Sequence, residues 1–340
     1  MATALVTGAT GFVGSAVVRA LLRDGVAVRA LVRPSSCKWT LDGLPVERVI
    51  GDLRDPACRR RILRNVDVLF HVAADYRLWV RDPAAVYATN VDATRALYRE
   101  ALDQGVARIV HTGTVATLKP RADGTPADER DRGRLSDMIG HYKRSKFLAE
   151  ESALALCREE SAPIVIVLPS TPIGPRDARP TPTGRILVEA ACWRMPGYVE
   201  TGLNIAHVDD VAIGHLLAWR KGRPGERYIL GGENLSLKDI LARIARLTGV
   251  RPPRWQLPIG LVRPVAFACE MAARVLPRYE PFINREAVRM AERCMFFTSR
   301  KAEQALGYRP RPAEEALYDA LDWFHAFGYI PRAPQIRRAA

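Results

Sequence analysis

Three regularly spaced glycines near the start of the chain limit its possible folds more than any other feature. In LVTGATGFVGSAVV (residues 5–18), Gly8, Gly11 and Gly14 separate a short apolar run from a helical pattern. A tight turn alone needs fewer glycines. Between a strand and a helix, the first glycine permits the turn, the second admits a pyrophosphate close to the backbone, and the third lets the helix pack against the strand. The spacing therefore predicts a dinucleotide-binding unit, with an ordinary glycine-rich loop as the alternative.

Short apolar runs alternate with helical patterns through the first half of the chain. The strand-like runs lie at 4–7, 26–32, 46–50, 66–72, 106–110 and 163–168, and helical patterns lie at 14–24, 56–64, 84–103 and 139–160. Such alternation implies parallel strands, right-handed crossovers and helices on both faces of one sheet. The sequence therefore predicts an α/β fold with a doubly wound parallel sheet.

The regular alternation ends after about residue 170. A loop rich in proline and glycine (174–184) precedes a set of helical patterns at 185–194, 208–220, 236–248, 260–276, 284–293 and 312–326. We expect a Rossmann domain at 1–170 that binds the dinucleotide. A smaller, mostly helical substrate-binding part follows at 171–335, and its segment 204–220 is expected to return to the first domain.

The charge and the cysteine content indicate which classes of protein function the sequence favours. The net charge is +14, but 44 of the 51 basic residues are arginines spread along the chain. Without a basic tract interleaved with aromatic residues, this pattern indicates a solvated surface rather than nucleic-acid binding, although it would attract anionic substrates or lipids. The six cysteines are widely separated and show no metal-ligand spacing, as expected of reduced thiols. With no secretory leader and no apolar run of bilayer length, we expect a cytoplasmic enzyme without a metal.

The glycine pattern is TGxxGxxG, from Thr7 to Gly14, and it resembles the variant found in the extended short-chain dehydrogenase/reductase family. The segment HYKRSKFLAEE adds Tyr142 and Lys146, which four-residue spacing places on one face of a helix. A phenol exchanges protons slowly at neutral pH unless a nearby cation lowers its pKa. We therefore expect Tyr142 to exchange the proton of a substrate oxygen, and Lys146 to lower the pKa of Tyr142 and hold the nicotinamide ribose.

The resemblance covers most of the chain and implies further site residues. In HTGTVATL (111–118), Thr114 matches the catalytic serine or threonine, and Gly113 departs from the family by replacing a common serine. Asn90 matches an asparagine that braces the active-site backbone. The implied cofactor-binding residues are Thr7, Gly8, Gly11, Phe12, Val13, Gly14, Asp52, Leu53, Ala73, Ala74, Tyr142, Lys146, Pro169 and Thr171, with Ser170 beside the last two. His207 and Asp209 in NIAHVDDVA are expected to organise a loop, with His207 as a general base the alternative.

The residues at the end of the second predicted strand indicate which cofactor the chain prefers, NADP(H) or NAD(H). Many dinucleotide-binding folds carry an acid there for the ribose 2′-hydroxyl of NAD. This chain has LVRPSSCK (31–38), in which Arg33 is suited to a 2′-phosphate, with Ser35, Ser36 and Lys38 as further donors. The segment favours NADP(H) over NAD(H), unless Arg33 is simply a solvated arginine.

Within the family, HVAADYRLW (71–79) and the segment at 285–312 resemble the dihydroflavonol reductase-like branch, most closely the bacterial hopanoid-associated sugar epimerases. Three hypotheses remain open. The first is an NADP(H)-dependent oxidoreductase acting at a secondary alcohol or ketone of a sugar-like or lipid-linked substrate. The second is a nucleotide-sugar epimerase with tightly bound NAD, and the third is a non-catalytic protein that senses the cofactor.

Two surface expectations concern partners. The stretch PIGLVRPVAFACEMAARVLP (258–277) predicts an amphipathic helix that either rests on a membrane surface, such as the inner membrane, or covers the substrate site or another helix. By resemblance, a homodimer would form through the helices at 84–103 and 139–160. Together these expectations describe an enzyme with a small-molecule or lipid-linked substrate and no nucleic-acid partner.

Overall fold

The computed structural model describes residues 2–36, 39–77, 80, 82–275, 283 and 285–330. Its strands are β1 (Thr3–Thr7), β2 (Ala27–Val32), β3 (Glu47–Ile50), β4 (Val68–His71), β5 (Arg108–Thr112), β6 (Ile164–Pro169), β7 (Thr171–Ile173), β8 (Gly197–Tyr198), β9 (Gly202–His207), β10 (Arg227–Leu230), β11 (Glu233–Ser236) and β12 (Trp255–Gln256). Its helices are α1 (Phe12–Arg23), α2 (Pro56–Leu63), α3 (Pro83–Tyr87), α4 (Ala93–Asp103), α5 (Gly140–Glu160), α6 (Pro182–Ala191), α7 (Val208–Lys221), α8 (Leu237–Thr248), α9 (Ile259–Val275), α10 (Arg285–Ala291), α11 (Arg300–Leu306) and α12 (Ala313–Ala326). A π-helical turn at Ala88–Asp92 joins α3 to α4.

Seven strands form a central sheet in the order β10-β6-β5-β4-β1-β2-β3, and every pair in it is parallel. The order of the first six strands is that of a doubly wound dinucleotide-binding sheet, which reverses direction between β1 and β4. A ligand crevice is expected at this reversal, beyond the carboxyl ends of the two strands. The predicted α/β fold is confirmed.

Apolar runs explain why these strands lie in the middle of the molecule. All six residues of β6 (IVIVLP) are buried, as expected of a parallel strand covered on both faces. One hydrophobic cluster joins α1, α7 and α11 to one face of the sheet, and a second joins α2, α4 and α5 to the other. The sheet is therefore the middle of three layers, and its helices fix the positions of the loops at its carboxyl edge.

The seventh strand, β10, was not predicted from the sequence. It pairs with β6 and lies beyond the segment 204–220, so a second stretch of the C-terminal part joins the central sheet. Helix α7, which covers most of 204–220, packs against α1. The boundary at residue 170 stays a prediction.

The remaining C-terminal part contains more strand than expected. Besides α6, α8 and α12, which surround a third hydrophobic cluster, it has a three-stranded sheet (β11-β9-β7) and a two-stranded one (β12-β8). Helix α11 was also missing from the sequence prediction. These short elements place loops and α10 near the carboxyl edge of the central sheet.

Candidate active site

The glycine turn after β1 lies in the crevice where the strand order reverses. Gly8 adopts φ +68°, and a Cβ there would lie 2.7 Å from both N and Cα of Ala73, which follows β4. The backbone segments that leave β1 and β4 thus touch at a place where only glycine fits. Gly8, Ala73 and the neighbouring Ala74 occupy the positions expected beneath a dinucleotide.

The third glycine holds the helix against this turn. A Cβ on Gly14 would lie 2.1 Å from the carbonyl oxygen of Gly8. The amide of Gly11 donates to the same carbonyl at 2.9 Å, and α1 begins at Phe12. Phe12 and Val13 pack against the hydrophobic core. The arrangement leaves the amino end of α1, with its partial positive charge, facing the crevice as phosphate binding requires.

Thr7 contributes to the crevice through its neighbours. Its buried hydroxyl contacts Nδ1 of His71 at 2.8 Å and accepts from the amide of Ala73 at 3.3 Å. His71 reaches the hydroxyl of Thr94 through Nε2 at 2.9 Å. Burial, aided by the charge of Lys146, lowers the pKa of His71 to about 3, so the ring is neutral. Thr7 therefore helps to shape the loop after β4, and its cofactor-binding role stays a prediction.

Thr114 and Tyr142 meet beyond the carboxyl end of β5. Thr114 precedes a 3-10 turn and shares a side-chain hydrogen bond with Tyr142, near the start of α5. Burial raises the pKa of Tyr142, the bond with Thr114 opposes that rise, and the charge of Glu286 adds to it. The expected pair of a phenol and a catalytic hydroxyl is therefore present, with the phenol protonated at neutral pH.

Lys146 lies one helical turn beyond Tyr142 and is buried. Its ammonium donates to the carbonyl of Thr112 at 2.6 Å. Burial lowers the pKa of Lys146 to about 8, and the charge of Glu150 opposes this change. In the structure the side-chain hydrogen bond of Thr114 lowers the pKa of Tyr142, and the expected effect of Lys146 on that pKa stays a prediction.

Glu150 anchors the middle of α5 to the sheet. This buried carboxylate accepts from the hydroxyl of Thr117 at 3.0 Å and pairs with Arg227 at 3.2 Å. Arg227 comes from β10 and also donates to the carbonyl of Glu129. Sequence reasoning missed this network because β10 brings the arginine from a distant part of the chain. The one signal of this network in the sequence was the acid Glu150 on the buried side of the predicted helix 139–160.

Asn90 lies in the π-helical turn and ties two site segments together. Its side chain exchanges two hydrogen bonds with the backbone of Asp75, accepting at 2.7 Å and donating at 2.9 Å. It also donates to Ser145 at 3.0 Å, and Ser145 donates to the carbonyl of Tyr142 at 2.8 Å. Asn90 therefore links the loop after β4 to the helix that carries Tyr142, as the family resemblance implied.

Gly113 has a local explanation. A Cβ at this position would lie 2.6 Å from Cδ2 of Leu168 and 3.6 Å from a carboxylate oxygen of Glu150. A serine here would require the side chain of Leu168 to shift, whereas the hydroxyls of Thr112 and Thr114 are already held in place. Thr112 contacts Nε2 of His215 at 3.0 Å, which points its side chain away from Tyr142 toward α7.

Arg33 lies at the carboxyl end of β2, where the ribose 2′ position is expected. Its side chain is exposed and has no hydrogen-bond partner among the described residues. The hydrogen bond of Arg54, aided by Arg33, lowers the pKa of Asp52 although burial opposes it. For Asp75, burial raises the pKa, but Arg77 and Arg33 together hold it below its usual value. Arg33 is therefore a cation within reach of both loops that border the crevice.

The other residues predicted for this end of the crevice differ in their exposure. Asp52 is partly exposed, whereas the side chain of Leu53 is packed in the hydrophobic core and offers a ligand only its backbone. Ser35 and Ser36 follow Arg33 in a turn. Lys38 lies outside the described residues.

The segment after β6 contains a buried hydroxyl without a partner. Ser170 Oγ has no hydrogen-bond partner among the described residues, although the Ser170 amide donates to the carbonyl of Leu230 at 3.2 Å. It lies between Pro169, which ends β6, and Thr171, which begins β7. A buried unpaired hydroxyl is costly unless a ligand satisfies it. This position is where the carboxamide of a nicotinamide is expected.

The C-terminal part contributes Glu286, which the sequence did not indicate. Its carboxylate occupies the space where a side chain at Gly140 would lie, with Oε2 only 1.8 Å from a Cβ built there. Its Oε1 is buried and unpartnered within the described part of the chain. Burial raises the pKa of Glu286 to about 7, opposed by Lys143 and aided by Glu270. An acid that titrates near neutrality therefore faces the start of the helix that carries Tyr142.

His207 has its hydrogen bonds satisfied away from the site. Its Nδ1 accepts from the amide of Asp209 at 3.0 Å, and this bond caps α7. The same nitrogen lies 3.0 Å from the guanidinium of Arg311. Its Nε2 is 3.1 Å from Asp319. Asp209 in turn pairs with Arg176. This geometry gives His207 and Asp209 the organising role that we preferred over base catalysis.

The residues present fit a nicotinamide dinucleotide. Gly8 and Gly14 open a cradle that a Cβ would fill, Arg33 is a free cation among the described groups at one end, and Ser170 is an unsatisfied hydroxyl at the other. Thr114, Tyr142 and Lys146 lie at the carboxyl edge of the strands between these ends. The role of each residue stays a prediction.

Comparison with known proteins agrees with this geometry. The model of the NAD dependent epimerase/dehydratase family matches residues 4–231. A protein of Synechocystis sp., provisionally named dihydroflavonol 4-reductase, is 44% identical over 96% of this chain and 95% of its own. Sterol demethylase protein B of Methylococcus capsulatus is 35% identical over 96% of this chain and 100% of its own.

A solved structure agrees equally well with the fold. The crystal structure of gox2253 has 49% identity and a TM-score of 0.86, and the match covers 97% of this chain and 99% of that one. Because the family model covers most of the chain and the full-length relatives exceed a third in identity, the fold and the family follow together. The chain belongs to the NAD-dependent epimerase/dehydratase family, within the extended short-chain dehydrogenases/reductases, and is an NAD(P)-dependent enzyme of that family.

Proposed function

We propose that the protein is an NADP(H)-dependent oxidoreductase that acts at a secondary alcohol or ketone of a lipid-like substrate. The observation that carries the proposal is the hydrogen-bonded pair of Thr114 and Tyr142, with Lys146 one turn further along α5, at the mouth of the glycine cradle. The bound nicotinamide supplies or accepts the hydride. The chain's own residues manage the accompanying proton.

In the direction of reduction, Tyr142 donates its phenolic proton to the carbonyl oxygen as that oxygen becomes an alcohol. Burial raises the pKa of Tyr142, so the phenol carries its proton at neutral pH, and the bond with Thr114 opposes that rise and eases the release of the proton. Thr114 donates a hydrogen bond to the same oxygen and orients it. Lys146, whose pKa is about 8, is mostly charged at neutral pH and favours the phenolate left behind.

The preference for NADP(H) rests on Arg33. An exposed guanidinium without a partner in the described structure, at the end of β2, is suited to a bidentate pair with a 2′-phosphate. Among the described residues at the end of β2, no carboxylate stands in place of Arg33 to accept a hydrogen bond from a ribose hydroxyl. Asp52 and Asp75, the two acids whose pKa values Arg33 helps to lower, already pair with Arg54 and Arg77.

The substrate class rests on different support. The relative from Methylococcus capsulatus bears a name that refers to a sterol. Lipid-like carbonyl compounds need an apolar surface by which to reach a site, and α9 in the C-terminal part exposes Leu261, Val265 and Phe267. Both features favour a lipid-like substrate over a nucleotide sugar.

The cofactor is tested by titrating cofactor-free protein with NADPH and NADH and following nicotinamide fluorescence. We expect Arg33→Ala to weaken NADPH binding about tenfold or more and to leave NADH binding unchanged, because a charge-assisted hydrogen bond contributes about 1.5–3 kcal/mol. Arg130→Ala, at an arginine 89% exposed on a distant loop, is the matched control. Equal loss for both nucleotides would refute the phosphate role.

The reaction is tested by following NADPH consumption with a 3-keto sterol as probe. Tyr142→Phe should reduce turnover about 10²–10⁴-fold, since it removes the acid, while NADPH affinity stays unchanged. Undiminished turnover would remove Tyr142 from the reaction. An enzyme that retains NAD through purification and interconverts a UDP-hexose without net redox change would instead be an epimerase.

A further inference from the structure

The outward side of α9 is apolar, contrary to the usual pattern of a surface helix. Leu261 is 66% exposed, Val265 55%, Phe267 51% and Met271 40%. The guanidinium of Arg285 lies over the Phe267 ring, 5.5 Å from its centroid, whereas Leu261 and Val265 are each more than half exposed. We call these four apolar side chains, together with Trp255, the outer face of α9. An exposed apolar patch of this kind marks an interaction site.

The inward side of α9 carries the polar group instead. Glu270 is 8% exposed and pairs with Arg285 of α10 at 2.7 Å, between the buried residues Ala266 and Ala273. The helix therefore uses its one acid to attach to the protein and presents its long apolar side chains outward. A surface helix that faces water has the opposite distribution, with polar side chains outward and apolar side chains toward the core.

A tryptophan continues the patch beyond the helix. Trp255 of β12 is 74% exposed and lies just before α9 in the chain. Its strand pairs with β8 at Gly197, four residues after Trp193, which is 68% exposed. Indole rings combine an apolar body with a polar N–H and are enriched at membrane–water interfaces.

The charge around the outer face points to an anionic partner. The segment 249–275 contains four arginines and one acid, and that acid is Glu270, which is buried. The side chain of Arg263, at the edge of the face, is 61% exposed although it pairs with Glu292 at 2.6 Å. A second copy of this chain, with its net charge of +14, would bring the same positive segment to the contact. Anionic headgroups complement it, and acyl chains complement the apolar residues.

We propose that the outer face of α9 docks on the surface of an anionic lipid bilayer. The helix lies in the plane of the interface with Leu261, Val265 and Phe267 toward the acyl region and the neighbouring arginines among the headgroups. Within the described ranges, no helix is both long and apolar enough to cross a membrane. Docking does not depend on the substrate proposed above, so it is measured without one.

The test is sedimentation of the full-length protein with vesicles of phosphatidylcholine containing phosphatidylglycerol. We expect binding that falls about tenfold in the double variant Leu261→Glu/Val265→Glu. The matched control Ile50→Glu/Ile213→Glu adds the same charge at residues 53% and 44% exposed elsewhere and should bind as wild type. A second variant, Leu261→Ser/Val265→Ser, should weaken binding without adding charge, and NADPH binding verifies the fold of each protein.

Several results would overturn the proposal. The proposal is overturned if the wild-type protein does not sediment with anionic vesicles. It is also overturned if the α9 variants and the control variant lose vesicle binding to the same extent. Binding to pure phosphatidylcholine as tight as to the mixed vesicles would remove the role of the arginines. A wild-type dimer that dissociates in the Leu261→Ser/Val265→Ser variant, with vesicle binding unchanged, would assign the face to a second copy of the chain.

Discussion

Replacing Gly8 with alanine tests the glycine cradle directly. The residue adopts φ +68°, and an alanine there has an unfavourable left-handed backbone that costs about 1–2 kcal/mol. The added Cβ would also lie 2.7 Å from N and Cα of Ala73. Because both contacts are with backbone atoms, the loop after β4 must move, and overpacking of this kind costs about 1–3 kcal/mol more.

Gly25→Ala is the matched control, because Gly25 has nearly the same backbone conformation in open space. It adopts φ +74°, and a Cβ there meets nothing within 4 Å. We expect Gly25→Ala to lower the free energy of unfolding by about 1–2 kcal/mol and to leave nucleotide binding unchanged. Gly8→Ala should lower it by about 2–5 kcal/mol and weaken NADPH binding at least about tenfold, since the crevice itself changes shape.

Denaturant unfolding and fluorescence titration measure the two effects. The double variant Gly8→Ala/Ala73→Gly should not recover either property, because the clash is with the backbone of residue 73 and not with its side chain. If Gly8→Ala unfolds like Gly25→Ala and binds NADPH like wild type, the close approach of these two loops has no role in the cofactor site.

Two further predictions concern pH. Glu286→Gln should move the basic limb of the pH–rate profile for carbonyl reduction to lower pH. The reason is that the Glu286 charge raises the pKa of Tyr142, and that pKa falls when the charge is removed. An unchanged limb would show that Glu286 has no part in the reaction. Burial lowers the pKa of His71 to about 3, of His215 to about 4 and of His111 well below its usual value. Below the unfolded value near 6.5 these histidines take up protons only on unfolding, so the free energy of unfolding should fall by up to about 4 kcal/mol per pH unit between pH 6 and 5. A flat dependence in denaturant titrations would contradict it.

The parts of the site that the sequence predicted are those encoded by local spacing. Gly8 and Gly14 act within one strand–turn–helix unit, and Tyr142 and Lys146 lie one turn apart on one helix, so neighbouring residues contain the whole pattern. The alternation of apolar runs predicted six of the seven central strands for the same reason. The residues placed by these patterns lie where they were expected.

The parts that were missed depend on contacts between distant segments. Strand β10 is only four residues long (RYIL) and is placed by its pairing with β6, so no local period marks it. Its Arg227 then pairs with Glu150, which the periodicity of α5 alone could not indicate. Glu286 reaches Gly140 from α10, more than a hundred residues away along the chain. The bond from Lys146 to the carbonyl of Thr112 was missed for the same reason, since it joins α5 to the end of β5.

The structure divides the work of the site between two kinds of element. Helix α5, which carries the proposed proton donor Tyr142, is tied to the central sheet three times: Lys146 bonds to the end of β5, Glu150 to Arg227 of β10, and Asn90 links the loop after β4 to the start of α5 through Ser145. By contrast, α10 brings Glu286 to the start of α5, and α9 packs against α10 and carries the apolar outer face. We therefore expect substitutions in α9 and α10 to change which molecule reaches the site and at what pH, and those in the anchored network to change the proposed transfer of the proton. Because the two sets share no hydrogen bond between described residues, their effects on turnover should add as free energies, with Glu286 and Tyr142 the pair expected to depart from additivity.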